Sequence, residues 1–122
     1  STKPSQLTVT YAPWFTFEIV HQFDRRDFTP FARMDAVLLR ILQKSHSQIP
    51  SKHKNVYREF IRSGFRDGKP IRTTLASYFS RQEFDTLASR LHFSPKQTPS
   101  NLRVDQWIEL FALLYNEIHG TR

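Results

Sequence analysis

The run Met34 to Leu42, "MDAVLLRIL", constrains the fold of this chain more than any other segment. It is dense in Val, Leu and Ile and scarcely broken by polar residues, the pattern of a strand buried on both faces. Such a strand needs a layer on each side. Upstream, "LTVTY" (7–11) alternates and reads as a strand, and "APW" interrupts it because Pro13 cannot donate to a ladder. "TFEIVHQF" (16–23) alternates again, with Phe17, Ile19 and His21 on one face and Glu18, Val20 and Gln22 on the other. "DRRDFTPFAR" (24–33) is a turn-rich connection into the buried run.

After Gln43 the period changes. "KSHSQIPS" is a polar linker, and from Lys52 to Phe65 the residues Val56, Tyr57, Phe60, Ile61 and Phe65 recur at helical spacing. "RDGKP" breaks that helix, and "IRTTLASYF" forms a short one. Ser80 and Glu83 have capping-box spacing, with Phe84, Leu87, Ala88 and Leu91 as the stripe that follows. Beyond the loop "HFSPKQTPSN", a last helix from about Leu102 to Ile118 carries Val104, Trp107, Ile108, Phe111, Leu114, Tyr115 and Ile118 on one broad face. The expected helical core is Phe60, Phe65, Leu75, Phe84, Leu91, Trp107 and Phe111. Three strands followed by four helices leave the buried run short of cover, which points to part of a larger α/β domain.

Size allows one modest core, since the chain has 122 residues and is 39% hydrophobic. No run reaches the roughly 18 apolar residues of a membrane helix. The absence of cysteine excludes disulfides, Cys-based zinc sites and a thiol nucleophile, and fits a cytoplasmic protein. A net charge of +7 favours a polyanionic partner, nucleic acid or an acidic membrane surface. With only Gly64, Gly68 and Gly120, the chain can write no Gly-rich phosphate turn, so it holds no nucleotide or S-adenosyl cofactor on a Gly-rich strand-to-helix turn of its own.

Two constellations suggest binding. Lys54, Arg58, Arg62 and Arg66 are spaced by four along one helix face, within a basic window that also holds Lys52, Lys69 and Arg72. Such a stripe can follow phosphates, and it also fits an ordinary solvated helix face. Phe28 lies at a loop beside Arg25, Arg26 and Arg33. It suits either a stacking surface for a base or a hydrophobic plug closing the loop. The five histidines have no metal-ligand spacing, no nucleophile turn of the G-x-S-x-G kind is present, and Asp35 reads as a carboxylate bonding its own turn.

Phe28-Thr-Pro30-Phe31-Ala32-Arg33-Met34-Asp35-Ala36 resembles the Phe-x-Pro-x-Pro-x-Val-Asp-Ser pattern of the rRNA adenine N6-methyltransferases, within them the erythromycin-resistance (Erm) enzymes. Ala32 replaces the second Pro, Phe31 a basic residue of many members, and Ala36 the usual Ser. "YAPWFTFEIV" is similar to the Erm strand pair, while "FRDGKPIRTTL" and "NLRVDQWIELFALLYNEI" resemble the family's helical tail, with Asn101 or Ser100 in place to cap the last helix. The resemblance runs from about Leu7 to Ile118.

The resemblance implies an α/β architecture: the last strands of a Rossmann-like S-adenosylmethionine-dependent methyltransferase domain (1–44), then a small all-α C-terminal domain that binds rRNA (45–122). Phe28 would stack on a flipped adenine of large-subunit rRNA, and Arg25, Arg26, Arg33, Lys54, Arg58, Arg62, Arg66, Lys69 and Arg72 would meet the RNA. The cofactor loop and catalytic tetrapeptide would lie before Ser1, so the expected cofactor, S-adenosylmethionine, belongs to the parent enzyme. The isolated chain is expected to be inactive, monomeric, cytoplasmic, without metal and away from membranes. A non-catalytic RNA-binding module and a small-subunit rRNA dimethyltransferase are the other readings; "APWFTF" and "VDQWIELF" favour Erm over the latter.

Overall fold

Ser5 opens the first element. Its side chain accepts from the Thr8 amide at 3.2 Å, and a computed structural model, which describes residues 3–23 and 36–119, places helix α1 at Gln6–Tyr11. The segment expected to be a strand is therefore helical. Leu7 and Tyr11 stay exposed, while Val9 and Thr10 are buried, so the contacts select the helix over the β preference of Thr8, Val9 and Thr10.

Strands β1 (Phe15–Phe23) and β2 (Ala36–Gln43) pair antiparallel, from Phe15 opposite Gln43 to Phe23 opposite Ala36. A register shift between Ile19 and His21 interrupts the simple alternation expected of 16–23. Burial on both faces does not hold at the end of β2. Ile41 and Leu42 are 58% and 42% exposed, because the sheet has two strands among the described residues and no layer covers these positions.

The helical part follows the expected order: α2 (Lys54–Gly64), α3 (Ile71–Thr74), α4 (Arg81–Leu91) and α5 (Val104–His119). A 3-10 turn at Arg66–Gly68, with Asp67 and Gly68 at positive φ, separates α2 from α3. The capping box is formed: Ser80 Oγ accepts from the Glu83 amide at 3.1 Å, and Glu83 Oε1 accepts from the Ser80 amide at 2.9 Å. At α5 the capping differs from expectation. Gln106 Oε1 accepts from the Arg103 amide at 2.9 Å, while Asn101 donates to Thr98 Oγ1.

One core joins these helices. Trp107 is fully buried, stacks on Phe65 at 5.4 Å, meets Phe60 edge-on at 5.9 Å and donates to the Pro99 carbonyl at 3.1 Å. Every residue of the expected helical core belongs to it, with Phe65 and Leu91 at its margin. Val9, Ala12 and Trp14 share the same core, so the first helix packs with α2 and α5 across the division expected at residue 44. Val56, expected on the apolar face of α2, points to solvent at 56% exposure.

Candidate nucleic-acid interface

Helix α2 sorts its side chains sharply. Tyr57, Phe60, Ile61 and Gly64 are buried, leaving Lys54, Arg58 and Arg62 on the exposed side. From Lys54 to Arg62 the axial rise is about 12 Å, at about 1.5 Å per residue. Arg66 and Lys69 are exposed beyond the helix end.

These cations are not equivalent. Arg62 pairs with Glu59 at 3.3 Å, both side chains mostly in solvent, so the pair is weak. Arg58 donates to the side chain of Asn55. Lys54 Nζ lies 5.6 Å from the centre of the Trp14 ring, within cation–π range. Arg72 differs most from expectation: it is half-buried and donates to both Asp85 oxygens, each at 3.1 Å, joining α3 to α4. A fork engaged on both prongs is a structural link. Nothing local signals this pairing, because the partners are far apart in sequence and meet only through the fold.

Trp14 is a further residue that sequence reasoning left unassigned. It meets Tyr57 edge-on at 5.6 Å, and its Nε1 donor is buried without a hydrogen-bond partner among the described residues. The Tyr57 hydroxyl donates to the Val9 carbonyl at 2.7 Å, and burial pushes its pKa well above the usual tyrosine value. At the start of α5, the Arg103 hydrogen bond holds the Asp105 carboxyl below the ordinary carboxylate range. Arg25, Arg26, Phe28, Arg33 and Asp35 lie outside the described residues.

Among the described residues no group of His, Asp and Glu could hold a metal ion, and no helix is long and apolar enough to cross a membrane. A shallow depression of about 760 Å³ is lined by Arg81, Gln82, Asp85, Thr86, Ser89 and Arg90 of α4 alone. It is an open helix face rather than a reaction chamber.

A two-stranded sheet leading into a basic, aromatic-cored helical unit fits part of an α/β domain. The chain belongs to the ribosomal RNA adenine dimethylase family, whose description matches residues 1–116. It is 25% identical over 119 residues to the mycinamicin-resistance protein MyrB of Micromonospora griseorubida, covering 97% of this chain and 38% of MyrB. It is 23% identical to an rRNA adenine N-6-methyltransferase of Bacillus licheniformis, covering 88% of this chain and 38% of that protein. The crystal structure of the 23S rRNA methyltransferase ErmE shares the fold, with a TM-score of 0.81 and 23% identity over 93% of this chain and 47% of that one. The chain thus spans less than half the length of each of these relatives. The Erm-type resemblance drawn from the residues holds at the level of the family, and the α/β reading of the fold holds with it.

Proposed function

We propose that the chain is the C-terminal part of a 23S rRNA adenine N6-methyltransferase of the Erm type, one that protects ribosomes from macrolide-type antibiotics. The family match over residues 1–116 carries this reading, supported by the names of MyrB and ErmE. In it, residues 1–44 complete the catalytic domain and 45–122 form the rRNA-binding domain. Arg58, Arg62, Arg66 and Lys69 follow the phosphate backbone. Their exposure supports that role. Arg25, Arg26 and Arg33 flank Phe28, which stacks on the adenine once it has left its helix.

In the parent enzyme, S-adenosylmethionine would supply an electrophilic methyl group to the adenine N6. The described residues offer it no cradle: Gly64 is packed against Trp107, and Gly68 serves a tight turn with φ 63°. This chain therefore contributes the substrate side, and the isolated 122 residues should show no stoichiometric S-adenosylmethionine binding by calorimetry.

The test combines filter binding with methyl incorporation in the full-length parent. Arg58→Glu with Arg62→Glu should weaken binding to matched and scrambled 23S rRNA hairpins alike. It should also flatten the salt dependence by about one per lost phosphate contact. Phe28→Ala should lower methyl transfer and leave the salt slope unchanged, as loss of a base-stacking surface of about 1–3 kcal/mol would. RNA binding without methyl incorporation by the wild-type parent would favour a non-catalytic RNA-binding module instead.

A further inference from the structure

The β1–β2 hairpin leaves the helical core at Phe15 and returns to it at Gln43. Phe15 and Gln43 are its first paired residues. Just outside them the Lys44 amide donates to the Trp14 carbonyl at 2.8 Å, and the Gln48 amide donates to the Pro13 carbonyl at 3.3 Å. Lys44 Nζ donates in turn to Gln48 Oε1 at 2.8 Å. The stem of the hairpin is thus tied through Pro13 and Trp14.

Trp14 is itself held in an unusual way. Its ring is buried, yet its one polar atom, Nε1, has no acceptor among the described residues. An indole without its hydrogen bond is oriented only through contacts of its ring. The Tyr57 ring supplies one of these, and Tyr57 is anchored by its own bond to the Val9 carbonyl. The Lys54 ammonium supplies another, at 5.6 Å from the ring centre, and Lys54 belongs to the basic helix α2. The ring quadrupole gives this contact a direction that apolar packing lacks.

We propose that Lys54 is a positioning residue, which clasps Trp14 and so fixes the hairpin stem to the basic face of α2. Lys54 then acts through the indole instead of adding one more phosphate contact. Its value to the enzyme rests on the proposed RNA-methylating function: RNA lying on α2 and the hairpin would keep one mutual orientation. The clasp itself does not depend on that function.

Amide hydrogen exchange on the 122-residue chain tests the clasp directly. Lys54→Met keeps the aliphatic stem and removes the charge. It should speed exchange at the Lys44 and Gln48 amides about 2–5-fold, the loss expected for a partly exposed cation–π contact. The amides of α5 should stay at wild-type rates, and Lys54→Arg should restore the stem. Trp14→Phe, which keeps a ring face and removes the unpaired N–H, should leave the stem protected. Unchanged stem exchange in Lys54→Met, or an equal rise throughout α5, overturns the proposal. A second arm separates the clasp from phosphate binding. In the full-length enzyme, Lys54→Met should lower kcat several-fold with KM and the salt slope of 23S rRNA binding unchanged, and Lys54→Arg should recover kcat. A slope shallower by about one would make Lys54 a phosphate contact and overturn the positioning role. If the wild-type parent binds no RNA, the functional reading fails while the exchange result still decides the clasp.

Discussion

Gly64 ends α2 against the face of Trp107. A Cβ there would lie 2.4 Å from Trp107 Cη2 and 2.9 Å from Cζ3, closer than real side chains come. The indole cannot retreat easily, because Phe60 and Phe65 hold it and its N–H is bonded to Pro99. Gly64→Ala gains about 1 kcal/mol of helix propensity. Overpacking, about 1–3 kcal/mol, should outweigh this and leave a net loss of up to about 2 kcal/mol in chemical denaturation. Trp107→Ala should cost about 3–5 kcal/mol. In that background Gly64→Ala should become neutral or stabilising; additive losses would show that the two do not share a contact. Tyr57→Phe leaves the buried Val9 carbonyl without its donor and should cost about 1–3 kcal/mol. The pH dependence has a definite sign. The folded-state pKa of Tyr57 is raised, so its contribution is whole below the usual value of 10.0 and falls as pH rises beyond it, where the unfolded chain ionises first. Alkaline denaturation should therefore be shallower in Tyr57→Phe than in wild type, by up to about 1.4 kcal/mol per pH unit.

Helix boundaries show how local signals compete with packing. α4 begins at a capping box that was legible at Ser80 and Glu83, and ends where His92 takes a left-handed conformation, φ 67°. No glycine marks that stop. His92→Gly removes the steric cost of the left-handed backbone and should raise stability by about 0.5–1 kcal/mol, less than the full penalty because glycine also gains freedom when unfolded. A loss of stability would mean that the His92 ring contributes more than its backbone costs. The core stripes of α2, α4 and α5 were readable because Phe60, Phe84 and Trp107 recur with neighbours at helical spacing. α1 was not. Leu7, Val9 and Tyr11 alternate as in a strand, but the Ser5 cap and the burial of Val9 and Thr10 go with a helix. In the candidate site, the basic face of α2 was legible from four-residue spacing. The capture of Arg72 by Asp85 and the seat of Lys54 on Trp14 were not, since both join residues far apart in sequence.

At the scale of the whole molecule, α1 and α2 to α5 share one core although the hairpin separates them in sequence. Replacing residues 16–42 by a two-residue turn between Phe15 and Gln43 is feasible, because those residues already face each other across the strand pair. The shortened chain should keep its helical circular dichroism and a cooperative melt near the wild-type Tm. Loss of cooperative folding would show that the hairpin is integral to the core.

The bond between the Lys44 amide and the Trp14 carbonyl is the doorway of a detour through the hairpin. Closing a detour of about 30 residues costs entropy that grows only with the logarithm of its length, so shortening it to a tight turn would return about 2 kcal/mol. The same logarithm makes lengthening cheap: doubling the detour adds about 0.6 kcal/mol. Residues inserted beyond the doorway leave the spacing of every core side chain untouched. Sequence changes in the excursion can therefore accumulate almost independently of the helices that carry it, and a new reach or a new tip can be tried without refolding its foundation.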